Sequence, residues 1–314
     1  MRLPWGRPDI SQWAELFDVP PVAERPTRDA PAVTFLGVST LLFDDGESAL
    51  MFDGFFSRPS LVKVGVGKVA PDAARIDAAL ERLGLGPGGR SLDAVVPVHS
   101  HFDHVMDAAM VARRTDAVLV GGASTDQVGI GGGLPQSRRR IVQAGETVRL
   151  GNQTLCFIGS AHCPPDRYPG VIETPVVPPV KAAAYRCGET WSVVVRHDSG
   201  RSALVQGSAG FVPQALDGCE AEVVYLGVGQ LGKHDVGFIA DYWTHTVRAV
   251  GARRVVLTHW DDFFRPLDLP LRALPYAGDD LAVTMGVLQR LAADDGVSLH
   301  FPTVWQTENP WAPS

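Results

Sequence analysis

The chain has 314 residues, which is enough to bury a sizeable core without disulfide support. Its 28 basic and 35 acidic side chains give a net charge of −7, so no global positive field exists to attract nucleic acid. No run of about 18 apolar residues occurs, and we therefore expect a soluble protein without a membrane-spanning helix. The four cysteines form no C-x-x-C pair, which indicates reduced thiols and a cytoplasmic location.

Residues 1–30 form the first segment, and they lack the continuous apolar stretch of a signal peptide. Pro, Trp, Asp and Glu interrupt every short hydrophobic run. We expect an arm that packs against the rest of the chain.

The remaining sequence alternates between strand and helix patterns. In the first half, strands are predicted at 32–45, 48–56, 92–100 and 117–122, and helices at 71–85 and 102–115. In the second half, hairpins are predicted at 146–161 and 191–208, followed by a strand at 221–229, a helix at 238–251 and a strand at 253–260. Two such halves predict an α/β (α+β) sandwich of two sheets with helices outside, in a single domain over 1–314.

Two long segments are predicted to be loops, 129–140 and 163–183. The second holds six prolines and is called the proline-rich loop below. In the first, Arg138, Arg139 and Arg140 are interpreted as a solvated surface run, with an anion site as the less favoured alternative.

The stretch VHSHFDHVMD, residues 98–107, places three histidines and an aspartate within six residues after an apolar run. His99 and His101 can converge on one ion from a loop, whereas Asp103 and His104 enter the next helix and point to a second position. Zinc binds imidazole nitrogen and carboxylate oxygen at about 2.0–2.2 Å, and such groups are costly to bury without a cation. Taken alone, the cluster leaves open one ion, two ions or an exposed polar loop.

The pattern H-x-H-x-D-H after a buried strand resembles the signature of the metallo-β-lactamase superfamily. That resemblance implies a four-layer αββα sandwich and two more ligand histidines, which FIGSAH and VVLTHWDDF supply as His162 and His259. The recognisable core spans 32–262. By analogy, His99, His101 and His162 hold a first metal, and Asp103, His104 and His259 hold a second.

One position departs from the family pattern. Many dinuclear members carry a bridging aspartate after a late strand, and Ser208 stands at that position here, in ALVQGSAGF. The resemblance therefore implies one or two Zn²⁺ ions per chain, the second held less tightly, with Mn or Fe not excluded. Ser208 is expected either to orient a water near the second metal or to serve as a small packing residue.

Other polar residues near these segments are assigned secondary roles. His234 is a candidate donor to a substrate oxygen, and Asp103 is a candidate proton carrier. Asp107 and Asp261 are predicted to hydrogen-bond ligand histidines. Cys163 is interpreted as a bystander, and the remaining histidines, His197, His245 and His300, as structural or solvated.

The segment LGVGQLG contains Gly227, Gly229 and Gly232 in the spacing of a dinucleotide fingerprint. The next candidate acid, Asp261, lies further along than the usual distance of about 20 residues and directly follows His259 and Trp260. We therefore do not expect nicotinamide binding.

These features predict a hydrolase that uses metal-bound hydroxide on an ester, lactone, amide or phosphoester of a small, partly hydrophobic molecule. Phe55, Phe56, the proline-rich loop and 262–276 are expected either to form the mouth of the site or to pack the loops around it. The alternatives are β-lactam hydrolysis, an iron-dependent, dioxygenase-like redox enzyme, and a non-catalytic metal-binding protein. The sequence leaves the oligomeric state open.

Overall fold

The computed structural model describes residues 3–22 and 24–312. Within these residues the chain forms fourteen strands and seven α-helices. The strands are β1 (Ala32–Phe35), β2 (Leu41–Asp44), β3 (Ala49–Phe52), β4 (Ala94–Val96), β5 (Val118–Gly121), β6 (Arg139–Ile141), β7 (Thr147–Leu150), β8 (Gln153–Gly159), β9 (Trp191–His197), β10 (Ser202–Gln206), β11 (Val223–Gly227), β12 (Arg254–Thr258), β13 (Ser298–His300) and β14 (Thr307–Glu308). The helices are α1 (Leu61–Val66), α2 (Ala73–Arg82), α3 (Phe102–Val105), α4 (Ala108–Thr115), α5 (Ala123–Gly131), α6 (Val236–Trp243) and α7 (Leu281–Asp295). None of these helices is both long and apolar enough to cross a bilayer.

The strands form two seven-stranded sheets, ordered β14-β1-β2-β3-β4-β5-β6 and β13-β12-β11-β10-β9-β8-β7. Each sheet combines antiparallel hairpins with parallel strands. In the first sheet, β1 to β3 are antiparallel and β3 to β6 run parallel. In the second, β7 to β10 are antiparallel and β10 to β13 run parallel.

Three buried apolar layers hold the sandwich together. Between the sheets, side chains such as Phe43, Phe52 and Tyr225 interlock, with Phe43 ring centroids 5.5 Å from Phe52 and 5.6 Å from Tyr225. Helices α2 and α4 cover the outer face of the first sheet, and α6 and α7 cover that of the second. The predicted α/β sandwich with helices outside is therefore confirmed.

The arm packs on the second sheet, as expected. A 3-10 helix, Ile10–Leu16, buries Trp13, and Phe17 stacks on Phe301 at 5.1 Å. Phe17 also meets Trp260 edge-on at 6.2 Å. The arm thus lies directly behind the segment that follows β12.

Two predicted elements differ in detail. The helix predicted at 102–115 is two helices, α3 and α4, and Asp107 at the start of α4 directs its carboxylate to Phe56 and Ser57 instead of capping the helix. The loop predicted at 129–140 contains the end of α5 and the start of β6. Its arginines make ion pairs, Arg138 with Asp116, Arg139 with Asp126 and Arg140 with Glu146, so their charges are compensated, which argues against an anion site. The solvated-surface interpretation holds for Arg140, which is exposed, whereas Arg138 and Arg139 are half-buried.

Candidate metal centre

Three segments bring the six predicted ligands together, and each segment follows the end of a strand. His99 comes after β4, the next three ligands lie at or inside the start of α3, His162 follows β8, and His259 follows β12. The rings of His99 and His104 have centroids 3.9 Å apart and planes tilted by 43°. His259 adopts a left-handed backbone, with φ of 57°, which turns its side chain back towards the cluster.

The first trio comprises His99, His101 and His162. Its ligand atoms all lie within 4.8 Å of one another, and His99 Nε2 lies 3.1 Å from His101 Nδ1. His162 uses Nδ1–H to donate to the carbonyl oxygen of Cys163 at 2.8 Å, which leaves its Nε2 for the centre.

The second trio comprises Asp103, His104 and His259, with ligand atoms again within 4.8 Å of one another. Asp103 Oδ2 lies 3.4 Å from His259 Nε2 and 3.7 Å from His104 Nε2. One carboxylate oxygen therefore faces two imidazole nitrogens.

Two carboxylates that the sequence analysis missed orient the histidines from behind. Asp53 Oδ2 accepts from His104 Nδ1 at 2.8 Å, and Asp53 Oδ1 accepts from the backbone N–H of Val98. Asp166, in the proline-rich loop, lies 3.2 Å from His101 Nε2. Such contacts fix the ring orientation and raise the basicity of the nitrogen on the other side.

The predicted roles of Asp107 and Asp261 are wrong for the same reason: neither carboxylate reaches a histidine. Asp107 accepts from the backbone N–H groups of Phe56 and Ser57 and from the Ser57 hydroxyl. Burial outweighs these bonds and raises the pKa of Asp107 to about 6.

Asp261 instead forms a fully buried ion pair with Arg58, Oδ2 to NH2 at 2.7 Å. Its other oxygen accepts from the backbone N–H of Val38 at 2.8 Å, and the Val38 carbonyl accepts from the N–H of His259. Asp261 therefore holds the His259 turn against the loop between β1 and β2.

Electrostatics favours neutral imidazoles in the first trio. Burial, and next the neighbouring His104, lowers the pKa of His99 well below its usual range. Burial also lowers the pKa of His101, and burial together with His101 lowers that of His162 to about 4. Burial opposes ionisation of Asp103, but the imidazoles of His104 and His259 hold its pKa well below the usual range. The first trio thus offers neutral rings and the second an ionised carboxylate, the forms that bind metal. Burial opposes protonation of His104, but Asp53 and Asp103 raise its pKa.

Ser208 and His234 both contact Cys163, the residue after the predicted ligand His162. Ser208 Oγ accepts from the backbone N–H of Cys163 at 3.0 Å, and the Ser208 carbonyl accepts from Gln206 and Tyr242. His234 places Nε2 3.5 Å from the Cys163 sulfur. Cys163 therefore contacts Ser208 through its backbone N–H and His234 through its sulfur. Burial raises the pKa of its thiol to about 12.

The other three histidines have partners away from the six ligands. His197 pairs with Asp45 at 2.8 Å and His300 with Asp18 at 2.8 Å. His245 stacks on Phe211 at 5.1 Å. Their interpretation as structural residues agrees with these contacts.

The glycines of the apparent dinucleotide fingerprint have a packing role. A Cβ on Gly229 would lie 2.5 Å from Nδ1 of His259, and a Cβ on Gly227 would lie 2.7 Å from the backbone of Gly207. A Cβ on Gly232 would meet the carbonyl oxygen of Asp280 at 2.1 Å. Gly229 thus makes room for a predicted ligand, which accounts for the spacing without a nucleotide.

The predicted mouth is partly wrong. Phe55 and Phe56 are 0% and 2% exposed and belong to the core under the first sheet, so they cannot contact a substrate. Phe263 is half-buried and meets the His259 ring edge-on at 5.5 Å. The proline-rich loop contributes Asp166, as described above, to the other side of the centre.

The donor set fits divalent metal ions at both trios. In a tetrahedral zinc site with Zn–N bonds of about 2.0–2.1 Å, neighbouring ligand atoms lie about 3.3 Å apart. The observed separations of 3.1, 3.4 and 3.7 Å lie near this value. Nδ1 of His99 and Nδ1 of His259 lie on the other side of each ring from the Nε2 that faces the centre. Within residues 3–22 and 24–312 neither Nδ1 has a hydrogen-bond partner, so no acceptor orients these two rings from behind. Iron and manganese accept the same nitrogen and oxygen donors.

Comparison with solved structures shows the same fold in metal-dependent enzymes. Igni18, a metallo hydrolase from the archaeon Ignicoccus hospitalis, has a TM-score of 0.52 and 15% identity over 88% of this chain and 97% of its own. The isothiocyanate hydrolase from Delia radicum gut bacteria has a TM-score of 0.53 and 12% identity over 88% and 98%. CmlA, a diiron β-hydroxylase from Streptomyces venezuelae, has a TM-score of 0.52 and 12% identity over 91% of this chain and 55% of its own. At these identities the likeness concerns the fold alone.

Sequence comparison gives the family. No protein with a curated description matches the chain significantly. The sequence profile described as "Metallo-beta-lactamase superfamily" matches residues 33–190, half of the chain, including β2 to β8 and five of the six predicted ligands, all but His259. The chain belongs to the metallo-beta-lactamase superfamily.

Proposed function

We propose that the protein is a zinc-dependent hydrolase that cleaves an ester, lactone, amide or phosphoester bond of a small molecule. The observation that supports this most strongly is the convergence of the two trios at the separations of shared metal ligands. A divalent ion at such a site lowers the pKa of water to about 7 and polarises a carbonyl or phosphoryl oxygen. The hydrolases among the structural neighbours agree with this reaction class.

Asp103 is the proposed proton carrier. It stays ionised, and its Oδ2 faces the centre between His104 and His259. With one ion at the first trio, Oδ2 is free to take the proton that the attacking water loses. With two ions, the same oxygen serves as a ligand.

Ser208 and His234 are proposed to act through the loop that carries His162. Ser208 Oγ accepts the Cys163 N–H, which leaves its own hydroxyl hydrogen free to orient a water. His234 lies against the Cys163 sulfur and stacks on Phe238 at 4.1 Å, and we propose that it donates to a substrate oxygen.

Iron-dependent oxidation is the second candidate. The diiron hydroxylase among the structural neighbours and the nitrogen-rich donor set support it. Ser208, at the place of the bridging aspartate of many dinuclear members, argues for hydrolysis instead.

The first test is elemental analysis of protein purified without chelator, followed by assays with activated esters, lactones, amides, phosphoesters and a chromogenic β-lactam. We expect one to two zinc ions per chain and turnover of at least one panel member. His162→Ala should lose metal and activity together, whereas the control His245→Asn, at a half-buried histidine whose described contact is Phe211, should retain both. Iron with oxygen consumption would replace the hydrolase by the redox candidate, and full metal loading without turnover would favour a binding protein.

A further inference from the structure

Helix α1 turns an apolar face to solvent. Each of its six residues is exposed or half-buried, and the half-buried Val64 packs against the core under the first sheet. Val62 and Val66 lie four residues apart, on the face opposite Val64, and are 72% and 83% exposed. Leu61 beside them is exposed as well. Single exposed apolar side chains are ordinary, but three of them on one short helix form a patch of the kind that marks an interaction site.

The proline-rich loop runs alongside the end of this helix. Val69 and Val180 form an isolated antiparallel bridge, with N–H···O distances of 2.7 and 3.1 Å. Because residues on either side of such a bridge lie opposite each other, Lys68 faces Lys181, on the side away from the buried Val69. Both lysines are exposed, so the bridge places two ammonium groups beside the valines of α1.

Most of the lysine of the chain is concentrated here. The sequence has four lysines, and three of them are Lys63, Lys68 and Lys181. We call the surface the valine–lysine patch; it comprises Leu61, Val62 and Val66 with Lys63, Lys68 and Lys181. None of its three ammonium groups has an ion pair or hydrogen bond within residues 3–22 and 24–312, whereas the arginines at 138–140 are all paired.

The local charge opposes that of the whole molecule. Residues 60–70 contain no acid, and the exposed acid of the proline-rich loop, Glu173, lies seven positions before Val180. The patch is therefore a positive, apolar region on a chain whose net charge is −7. An anionic partner with an apolar layer complements it.

The composition of the patch favours a lipid surface over a protein. A second copy of the chain would bring lysines against lysines, which repel each other. The centres of protein interfaces are enriched in aromatic residues and arginine and depleted in lysine, whereas this patch consists of aliphatic side chains and lysines. At a bilayer, the valines can enter the boundary of the acyl chains while each lysine keeps its ammonium group among the headgroups.

We propose that the valine–lysine patch docks the protein on the surface of an anionic phospholipid bilayer. This inference goes beyond the proposed function and does not depend on it. Val62 and Val66 supply the apolar contact, and the three lysines supply the attraction to negative headgroups. The acidic remainder of the molecule is repelled by the same surface, so the protein docks with α1 towards the lipid.

The experiment is co-sedimentation of the intact chain with two kinds of vesicle. One kind contains phosphatidylcholine alone, and the other contains about 30 mol% phosphatidylserine in phosphatidylcholine. At about 20 mM salt we expect about ten-fold or more tighter binding to the anionic vesicles, and this preference should shrink several-fold at about 200 mM salt.

Two variants with matched controls test the patch itself. Lys68→Gln should weaken binding to the anionic vesicles about five-fold, whereas Arg253→Gln, which removes the same charge at an 80% exposed side chain beside β12, should not. The double variant Val62→Ser with Val66→Ser keeps every charge and should weaken binding about ten-fold. Its control is Val236→Ser, at an exposed valine of α6 on the other sheet, which should bind like the wild type.

Equal binding to the two kinds of vesicle, or binding to neither, would overturn the inference. This comparison uses the unaltered protein, so it decides the matter even where a variant fails to fold. An anionic preference that both patch variants retain would also overturn it, because the contact would then lie elsewhere. Self-association in sedimentation velocity that the valine variant abolishes, without vesicle binding, would instead make the patch a protein interface. None of these readouts involves turnover, so the proposed function stands or falls separately.

Discussion

Removing the charge of Asp261 is expected to lower the free energy of unfolding by about 3–5 kcal/mol. The substitution Asp261→Asn retains an oxygen that can accept from the N–H of Val38, so the backbone contact survives. The guanidinium of Arg58, however, loses its counter-charge, 2.7 Å away, at a place where both side chains are 0% exposed.

The magnitude follows from this enclosure. An exposed ion pair is worth about 0–1 kcal/mol, whereas a buried charge left unpaired costs several times as much. Arg58 has no room to move out, because NH2 lies 1.9 Å from the position of a Cβ on Gly37 and fills the space that this glycine leaves. One other described contact of the guanidinium is NH1 to the carbonyl oxygen of Arg265 at 3.2 Å, which does not neutralise it.

Urea unfolding followed by tryptophan fluorescence measures the loss, with equal m-values as the condition for comparing midpoints. Asp268→Asn, an exposed aspartate seven positions further on, is the matched control and should change stability by less than about 0.5 kcal/mol. The double variant Arg58→Met with Asp261→Asn removes both charges and should recover a large part of the loss. A loss below about 1 kcal/mol in Asp261→Asn, or strictly additive single and double variants, would refute the reasoning.

Three further perturbations test other parts of the molecule. The variant Asp53→Asn tolerates the left-handed backbone at that position (φ 58°), but its amide nitrogen cannot accept a hydrogen bond as the carboxylate oxygen does from His104. We therefore expect about 10–100-fold weaker binding of a metal at the second trio, measured by competition with a chromogenic chelator. Ser208→Ala leaves the buried N–H of Cys163 without its acceptor, and a lower melting temperature, corresponding to about 1–3 kcal/mol, should accompany weaker metal retention at the first trio; unchanged values would show that the serine only packs. Burial raises the pKa of Glu308 from 4.5 to about 7, so the folded protein binds more protons than the unfolded chain between these values and the free energy of unfolding falls as pH rises through this window. Relative to the wild type, the free energy of unfolding of Glu308→Gln should therefore increase by about 1–3 kcal/mol as the pH rises from 5 to 8, as measured by urea titration. A difference between the two proteins that stays constant across that range would contradict the assignment.

The convergence of the six predicted ligands could be anticipated because four of them form one short motif and the family resemblance pointed to the other two. His99 to His104 form one short motif, and His162 and His259 each follow a strand of strong β-forming character. The carboxylates behind them were not predictable in this way. Asp53 stands alone in MFDGFF, and Asp166 lies in a loop without periodicity, so only the folded chain reveals that they face His104 and His101.

The errors in the fold have similar physical causes. Phe55 and Phe56 follow a strand and were placed at the mouth, yet the chain turns inwards there, with backbone N–H groups of Phe56 and Ser57 bound to Asp107. Helix α5 lies in a glycine-rich stretch of low helix propensity, where tertiary packing decides the conformation. A Cβ on Gly129 would lie 2.9 Å from side-chain atoms of Arg139 and Leu119, so the small residue permits the close approach.

The supply of ligands from both sheets has a mechanical consequence. The motif at 99–104 belongs to the first sheet, whereas His162 and His259 belong to the second, so each trio draws on both halves of the sandwich. An ion bound at either trio would act as a cross-link between the halves and would be released when they part. Cohesion of the two sheets and metal affinity are then thermodynamically linked: each ten-fold increase in free metal above its dissociation constant adds about 1.4 kcal/mol to the work of separating them. The concentration of free metal would therefore contribute to the free energy that holds the two sheets together.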